Sequence, residues 1–284
     1  MNAPGAVRRS SVATLQGFRD AGQRFAVLTA YDRATAELAE AAEIHAILVG
    51  DSLAQVALGH ESTVRVGMNE MLHHVAAVVR SSRTALVIAD MPFLSYVDVA
   101  TAATNASAFL RDAGAGAVKL EGGAEMAPIV RALVESGVPV IGHIGFTPQS
   151  ALQLDRARAQ GKEPAAAEQL LADALALQAA GAAAIVIELV PAELAALITQ
   201  RLTIPTIGIG AGAGCSGQVQ VVPDLLGILS GPPPRHAGEY ATLRDQALAG
   251  LTKWRADVAT GAFPTIAQSI PASDELRAAL ALME

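Results

Sequence analysis

The chain has 284 residues, of which 52% are hydrophobic, so it can bury one large core or two modest ones. A formal charge of -7, with the basic residues scattered along the chain, provides no basic patch for a nucleic-acid partner. The single cysteine, Cys215, excludes an intrachain disulfide and a multi-cysteine metal site, and we interpret it as a small residue in a glycine-rich turn.

Two segments determine the expected location of the protein. Arg8 and Arg9 are not followed by the apolar stretch that a secretory signal needs. The most apolar window, residues 172–198, is interrupted by Asp173, Glu188 and other polar residues too densely for the roughly 20 apolar residues of a membrane span. We therefore expect a cytoplasmic protein with no membrane partner.

Apolar runs typical of strands alternate along the chain with longer segments of helical period. The predicted strands are residues 25–29, 45–49, 85–89, 117–120, 138–142, 184–187, 206–209 and 219–222. The predicted helices are residues 35–43, 69–80, 98–113, 126–136, 165–180, 192–201 and 240–258. Glycines favour a left-handed helix cap before the next strand at Gly114, Gly137 and Gly181.

Repeating strand–helix units predict the α/β class. Seven or eight units in a chain of this length favour a single closed (β/α)8 TIM barrel, with an open doubly wound sheet as the alternative. The repeat breaks at residues 231–234, a glycine followed by prolines. We expect a disordered tail at residues 1–11, the barrel with peripheral C-terminal helices at residues 12–264, and a C-terminal tail at residues 265–284.

Five of the predicted strands end at or just before ionisable residues. A parallel barrel places the carboxyl ends of all its strands at one mouth, so these side chains are expected to share one cavity. They are Asp51, Asp90, Lys119, Glu121, His143 and Glu188. Several carboxylates together with a lysine and a histidine indicate a catalytic site built around a metal ion.

Asp51 and Asp90 each follow a strand that is apolar throughout, where an unpaired carboxylate is costly. Two carboxylates aimed at one point suit Mg²⁺, which proteins commonly hold through one or two carboxylates together with water and substrate oxygens. For Asp51 an equally weighted alternative is a helix N-cap, with Ser52 beside it.

Lys119 and Glu121 are two positions apart in one strand, so both side chains point to the same side of the sheet. They form either a mutual ion pair on the barrel rim or part of the site. An uncharged Lys119 is a candidate for a Schiff base with a carbonyl substrate, whereas a charged Lys119 would hold a carboxylate. The adjacent acids favour the charged form.

The remaining candidates each have two interpretations. Glu188 lies in an apolar stretch and is either a general base or a salt-bridge partner of the following helix. His143 lies between glycines and is either a pocket residue or a hydrogen-bonded packing residue. The glycine-rich run at residues 208–214 either lines an anion pocket or serves tight packing. Weaker candidates are His60, His73 and His74.

Six short motifs, over roughly residues 12–230, together resemble the ketopantoate hydroxymethyltransferase family in the family's order. They are Leu28-Thr29-Ala30-Tyr31-Asp32, Val49-Gly50-Asp51-Ser52-Leu53, Ala89-Asp90-Met91-Pro92-Phe93, Val118-Lys119-Leu120-Glu121-Gly122-Gly123, Gly142-His143-Ile144-Gly145 with Thr147-Pro148-Gln149-Ser150, and Ile207-Gly208-Ile209-Gly210-Ala211-Gly212 with Gly217-Gln218. Separate motifs in register make the resemblance specific.

The resemblance implies a barrel of the phosphoenolpyruvate/pyruvate-binding type, often assembled into homodecamers. It implies transfer of a hydroxymethyl group from 5,10-methylenetetrahydrofolate to 3-methyl-2-oxobutanoate on the way to pantothenate and coenzyme A, by Mg²⁺-stabilised enolate chemistry. By motif position, Glu188 would accept the proton, and the loops after strands five to eight would form the folate slot. The implied Mg²⁺ ligands are Asp51, Asp90 and Glu121. The implied contacts of the 2-oxo acid are Asp51, Ser52, Asp90 and Lys119.

The chain departs from the family pattern after the predicted fifth strand. Where the family usually has Gly-Gly-Tyr-Lys-Val-Gln-Gly, this chain has Asp155-Arg156-Ala157-Arg158-Ala159-Gln160-Gly161. Because loops carry much of an enzyme's specificity, this change is compatible with a Mg²⁺-dependent C–C lyase that acts on another 2-oxo acid. A barrel that binds a metabolite without catalysis is the third hypothesis.

Overall fold

In the computed structural model, which describes residues 9–150 and 158–283, eight parallel strands close into a barrel in chain order. The strands are β1 (Phe25–Thr29), β2 (Ala46–Val49), β3 (Leu86–Asp90), β4 (Ala117–Glu121), β5 (Val140–Gly145), β6 (Ala184–Glu188), β7 (Thr206–Ile209) and β8 (Gly217–Gln220). Because β8 pairs with β1, the open-sheet alternative is wrong and the predicted (β/α)8 barrel is confirmed.

Helices surround the barrel and form most of the crossover connections. They are α1 (Val12–Asp20), α2 (Arg33–Ala41), α3 (Leu53–Val56), α4 (Met68–Ser81), α5 (Val99–Ser107), α6 (Ala127–Glu135), α7 (Pro164–Ala179), α8 (Ala192–Arg201), α9 (Val222–Leu225), α10 (Leu243–Thr260) and α11 (Asp274–Ala281). The helix predicted at residues 98–113 is α-helical over Val99–Ser107 and continues as a π-helical turn over Ala108–Asp112.

Helix α2 illustrates how the local sequence determines these elements. Asp32 is its N-cap, and the side chain accepts a 2.8 Å hydrogen bond from the Thr35 N–H. The helix buries Ala36 and Ala39 against the barrel, as its small-residue face predicts.

Two strands are shifted from their predicted positions. β5 begins at Val140 rather than at residue 138, because Pro139 has no N–H to donate to a strand ladder. β8 ends at Gln220, and the apolar residues that were predicted to continue it lead into α9 instead. The Val222 N–H donates to Thr29 Oγ1 at 3.0 Å, which ties this turn to the end of β1.

Strands β2 to β7 are buried on both faces over nearly their whole length, which is why most of their residues are apolar. Leu48, Ile88 and Val186 pack inside the barrel, whereas Ile47 and Val87 pack in the layer between barrel and helices. Ionisable residues at the ends of such strands are therefore exceptions in an apolar environment.

The connection from β7 to β8, residues 210–216, contains no helix. A Cβ atom added to Gly212 would lie 2.4 Å from the Cβ of Ala192, the first residue of α8. Cys215 is buried in the same connection. The tight-packing interpretation of the glycine-rich run is therefore confirmed, since glycine allows the chain to pass this close to α8.

The ends of the chain lie outside the barrel. Helices α10 and α11 contain no buried residue, and α11 lies within the C-terminal tail predicted at residues 265–284. Of the disordered tail predicted at residues 1–11, residues 1–8 lie outside the described residues, and so does part of the divergent 155–161 segment. Among the helices of residues 9–150 and 158–283, none has the length and apolarity to cross a bilayer.

Candidate active site

A cavity of about 500 Å³ opens at the carboxyl ends of the strands. It is lined by all the residues predicted for the site: Asp51, Ser52, Asp90, Lys119, Glu121, His143 and Glu188. Asp90 and Lys119 are 1% and 3% exposed, whereas the side chain of Glu188 is 15% exposed toward the opening. The strand ends therefore deliver the predicted ionisable groups to one enclosed space.

Asp90 connects the ends of three neighbouring strands. It ends β3 and is the register partner of Lys119 on β4, whose Nζ lies 2.7 Å from Asp90 Oδ1. Asp90 Oδ2 accepts a 3.1 Å hydrogen bond from the N–H of Asp51, which follows β2. Both oxygens of Asp90 thus already have partners, although one is a cation and the other a neutral N–H.

Glu121 and His143 form a second pair farther round the barrel. They are register partners on β4 and β5, and His143 Nδ1 lies 3.2 Å from Glu121 Oε1. Lys119 Nζ is 3.6 Å from the same oxygen. On its other side, His143 Nε2 lies 3.3 Å from Glu188 Oε2 but without hydrogen-bond geometry, and it has no hydrogen-bond partner in the described part of the chain.

Gln149 is a buried site residue to which the sequence analysis assigned no role. Its Nε2 donates to Asp51 Oδ2 at 3.0 Å and to the Met91 carbonyl at 2.9 Å, and its N–H donates to Glu121 Oε2 at 3.0 Å. Tyr96 Oη donates to Gln149 Oε1 at 2.7 Å. The Thr147–Ser150 motif contributed to the resemblance, but a glutamine alone gives no signal of this role.

Ser52 lies beside Asp51 at the start of α3. Its Oγ is 2.9 Å from Tyr31 Oη, and its side chain makes no capping hydrogen bond. Since the Asp51 side chain bonds to Gln149 rather than to the backbone of α3, the N-cap interpretation of Asp51 is wrong. The three histidines outside the site motifs, His60, His73 and His74, are not among the residues that line the cavity.

The positive charge of Lys119 compensates the two aspartates only in part. Burial raises the pKa of Asp51 well above its ordinary value, and the charges of Asp90 and Glu121 raise it further. Burial also raises the pKa of Asp90, and Lys119 opposes that shift only in part. A cation bound between these carboxylates would therefore be stabilised strongly.

Lys119, Glu121 and His143 favour their charged forms. Burial lowers the pKa of Lys119, but the surrounding carboxylates outweigh burial and raise it above its ordinary value. For Glu121 burial is outweighed by Lys119 and His143, so its pKa is lowered. For His143 burial and Lys119 are outweighed by Glu121, which raises the pKa of the imidazole to about 9. Lys119 is thus an ammonium ion, a poor nucleophile.

The donor set fits a hard divalent cation. Asp51 and Asp90 offer carboxylate oxygens, the ligands that Mg²⁺ prefers, and burial together with the neighbouring carboxylates raises the pKa of both. Within residues 9–150 and 158–283, no three acidic, histidine or cysteine side chains are placed to enclose an ion by themselves. Asp51 and Asp90 thus offer two carboxylates, which is the number that Mg²⁺ commonly takes together with water and substrate oxygens, whereas Glu121 bonds to His143 and to the N–H of Gln149.

The fold and the site define a (β/α)8-barrel enzyme whose carboxylates, lysine and histidine share one cavity at the carboxyl ends of the strands. Residues 9–266 match the family described as ketopantoate hydroxymethyltransferase. The chain belongs to this family.

Two similar proteins carry the name 3-methyl-2-oxobutanoate hydroxymethyltransferase. The protein from Chloroflexus aggregans is 56% identical over 256 residues, which are 90% of this chain and 91% of that protein. The protein from Dehalococcoides mccartyi is 50% identical over 262 residues, 92% of this chain and 94% of its own. The predicted family and the predicted hydroxymethyltransferase class are confirmed.

Solved structures at low identity support the fold alone. A phosphonopyruvate hydrolase in complex with oxalate and Mg²⁺ aligns with a TM-score of 0.59 at 14% identity, covering 96% of this chain and 97% of that one. A phosphoenolpyruvate phosphomutase from Streptomyces platensis subsp. rosaceus also aligns with a TM-score of 0.59, at 18% identity, covering 96% and 95% of the two chains. These structures agree with the predicted (β/α)8 fold.

Proposed function

We propose that this protein transfers a hydroxymethyl group from 5,10-methylenetetrahydrofolate to 3-methyl-2-oxobutanoate, giving 2-dehydropantoate for the synthesis of pantothenate and coenzyme A. The observation that carries the proposal is the composition of the cavity wall. Asp51 and Asp90, whose charges Lys119 balances only in part, the ammonium of Lys119 and the separate carboxylate of Glu188 all face the same space.

Mg²⁺ is the metal that this wall favours. Asp51 and Asp90 would hold it directly, and Glu121 would contact it through water. Bound there, Mg²⁺ supplies Lewis acidity that polarises the carbonyl of a 2-oxo acid. A barrel of the same fold was crystallised with oxalate and Mg²⁺, and oxalate presents paired oxygens as a 2-oxo acid does.

Lys119 and Ser52 would orient the keto acid. The Lys119 ammonium is fixed by Asp90 at 2.7 Å, so its charge is available at a constant position for a substrate carboxylate. The Ser52 hydroxyl is held by Tyr31 Oη at 2.9 Å and can donate to a substrate oxygen. Binding at two defined points places C3 of the acid on a fixed side of the cavity.

Glu188 would be the general base. It accepts the proton as the C3–H bond breaks, and the electron pair that is released forms the new C–C bond with the methylene carbon of the folate. Both C–N bonds of that carbon break, a water molecule supplies the hydroxyl group, and the two nitrogens of the resulting tetrahydrofolate take up the proton from C3 and the remaining proton of the water. Oε2 of Glu188 lies 3.3 Å from Nε2 of His143, whose pKa is raised to about 9. The substrates are small molecules, and the cytoplasmic location and the homodecameric assembly stay predictions.

Proton exchange at C3 of 3-methyl-2-oxobutanoate, followed by NMR in D₂O without folate, tests the enolisation step alone. We expect exchange with Mg²⁺, loss of exchange with EDTA, and a fall of about 10²- to 10⁴-fold in Glu188→Gln. Glu193→Gln, which removes a carboxylate from the first turn of α8, is the matched control. Equal exchange in wild type and Glu188→Gln would contradict the assignment of the base.

Folate-dependent turnover separates the proposed transferase from the other hypotheses. We expect 2-dehydropantoate to form only when 5,10-methylenetetrahydrofolate, keto acid and Mg²⁺ are all present. Cleavage of a 2-oxo acid without folate would support the C–C lyase instead. A protein that binds the keto acid but shows neither exchange nor transfer would support the non-catalytic barrel.

A further inference from the structure

The cavity is larger than the keto acid requires. Even if each of its heavy atoms took about 30 Å³, as a liquid water molecule does, 3-methyl-2-oxobutanoate would fill at most about 240 Å³, roughly half of the 500 Å³ available. The groups proposed to act on the keto acid lie at the ends of strands β2 to β6. The wall that follows β7 and β8 therefore remains for the second substrate.

This wall consists of apolar side chains and one carboxylate. The apolar residues that line it are Ile209, Val219, Val221 and Pro234. Asp224, in α9, and His236 line the same side of the cavity. His236 packs against Gly210, the residue after β7, because a Cβ atom added to Gly210 would lie 3.1 Å from the Cβ of His236.

Asp224 has no structural partner that explains its position. Among the described residues, no side-chain hydrogen bond or ion pair satisfies its carboxylate, and the neighbouring His236 acts to lower the pKa of Asp224. Burial nevertheless raises its pKa above the ordinary value. Asp224 is half-buried and lines the cavity. The two oxygens of its carboxylate can each accept a hydrogen bond from a ligand.

We infer that Asp224 recognises the 2-amino-4-oxopyrimidine edge of the reduced pterin ring of the folate. This inference rests on the proposed function. That edge presents the 2-amino group and N3–H side by side, two donors that match the two oxygens of one carboxylate. The apolar residues beside Asp224 offer the flat faces of the ring a surface on which to pack. Asp224 is thus a binding residue for the one-carbon donor and takes no part in proton removal from the keto acid.

Asp224→Asn in the full chain with Mg²⁺ tests the inference. The substitution keeps the size of the side chain but places an amide NH₂ opposite one of the pterin donors. We expect the KM for 5,10-methylenetetrahydrofolate to rise about 10- to 100-fold, while the KM for the keto acid and the folate-free C3 exchange rate stay within about twofold of wild type. Direct titration with tetrahydrofolate is expected to show the same loss of affinity.

Glu61→Gln is the matched control for charge. Glu61 lines the same cavity but is solvent-exposed. Folates carry carboxylates, so removing a negative charge alone favours their binding, and we expect Glu61→Gln to leave the folate KM unchanged or slightly lower. A higher folate KM in Asp224→Asn therefore reports lost hydrogen bonds rather than altered charge.

A folate analogue identifies the group that Asp224 contacts. When the 2-amino group of tetrahydrofolate is replaced by a methyl group, we expect wild type and Asp224→Asn to bind the analogue with equal affinity. An unchanged affinity of Asp224→Asn for unmodified tetrahydrofolate would overturn the inference. So would a C3 exchange rate that falls in parallel with transfer, because Asp224 would then act at the keto acid.

The same titration distinguishes failure of the inference from failure of the proposed function. If the wild-type protein exchanges the C3 proton and binds tetrahydrofolate, the proposed function stands, and only the comparison with Asp224→Asn decides the role of Asp224. If the wild-type protein binds no tetrahydrofolate, the proposed function and the inference both fail. A Tm of Asp224→Asn equal to that of wild type establishes that the variant is folded.

Discussion

Gln149 and Asp51 are joined by a 3.0 Å hydrogen bond from Nε2 to Oδ2, although they lie 98 positions apart in the sequence. The backbone N–H of Gln149 donates to Glu121. A single residue in the turn that follows β5 therefore orients two of the carboxylates proposed to act on the metal. Tyr96 holds the amide oxygen of Gln149 and so fixes which end of the amide faces Asp51. Gln149 is therefore a positioning residue for the metal ligands.

Gln149→Leu is expected to weaken Mg²⁺ binding. The substitution removes the donor to Asp51 and leaves that buried carboxylate with less support, an effect that typically costs a metal site about 10- to 100-fold in affinity. We expect the Mg²⁺ concentration for half-maximal C3 exchange to rise by this factor, and calorimetric titration with Mg²⁺ to give the same change.

Gln55→Leu is the control for this substitution. Gln55 lines the same cavity, but its Nε2 donates to the exposed Glu61 carbonyl and to none of the proposed ligands. We expect its Mg²⁺ dependence to equal that of wild type. Equal Mg²⁺ dependence of Gln149→Leu and Gln55→Leu would remove the positioning role.

Gly145→Ala is expected to displace the general base. Gly145 has a φ of +96°, and a Cβ atom there would lie 2.2 Å from the Glu188 carbonyl oxygen. The backbone of β6 must therefore move at the residue that carries the base. We expect a fall of at least about 10²-fold in C3 exchange and a loss of about 1 to 3 kcal/mol in the free energy of unfolding.

Gly137→Ala separates backbone strain from displacement of Glu188. Gly137 has a similar φ of +88°, but an added Cβ atom meets nothing within 4 Å. We expect it to lose unfolding free energy through strain, measured by chemical denaturation, and to keep the wild-type exchange rate. Should Gly145→Ala also keep that rate, the close approach of β5 to Glu188 has no catalytic consequence.

Glu40 is expected to make stability depend on pH. Its carboxylate accepts hydrogen bonds from Ser82 Oγ, from the N–H and hydroxyl of Thr84, and from the Ala85 N–H. Burial opposes ionisation, but these bonds outweigh it and lower the pKa of Glu40 from 4.5 to about 2. A group whose pKa is lowered by folding stabilises the fold above its unfolded pKa and loses that contribution as pH falls through the folded value.

The stabilisation by Glu40 is therefore full above pH 4.5 and is lost as the pH falls toward 2. At pH 7, Glu40→Gln is expected to have a lower Tm than wild type. The free energy of unfolding is expected to fall by about 1 kcal/mol, after allowance for partial exposure of the group. The difference in Tm is expected to shrink between pH 4.5 and 2. Glu37→Gln, in an exposed pair with Arg33 on the same helix, is expected to change the Tm little at any pH. A constant difference for Glu40→Gln across this range would contradict the linkage.

The barrel and the composition of its site could be predicted because both depend on strand order. Apolar runs give the strands, and a closed parallel barrel delivers every strand end to one mouth, so Asp90 and Lys119 could be placed together from sequence. Pairing between neighbouring strands then brings these two side chains to 2.7 Å.

Contacts made by loops could not be predicted in the same way. Gln149 reaches Asp51 from a turn after β5, and Asp224 reaches the cavity from a helix after β8. Neither position follows from a periodic pattern, because loop conformation depends on tertiary packing. The choice between a metal ligand and a helix cap for Asp51 required the side-chain direction, which sequence spacing does not encode.

Lys119 is expected to form no Schiff base with the keto acid. A Schiff base requires the free amine, but Asp90 at 2.7 Å and Glu121 at 3.6 Å favour the ammonium ion, since these carboxylates raise the pKa of Lys119 above its ordinary value. We expect incubation with 3-methyl-2-oxobutanoate and borohydride to leave the intact mass and the activity unchanged after dialysis. A Schiff-base aldolase treated in parallel verifies the trapping conditions.

Lys119→Gln decides the origin of any adduct. If borohydride treatment added the mass of the reduced keto acid to wild type but not to Lys119→Gln, a covalent role would replace the electrostatic one. The charged state also predicts that Lys119→Gln is destabilised by about 3 to 5 kcal/mol, because Asp90 and Glu121 remain buried without their cation. Since Mg²⁺ restores positive charge to the same carboxylates, it is expected to raise the Tm of Lys119→Gln more than that of wild type, as thermal unfolding with and without Mg²⁺ would measure.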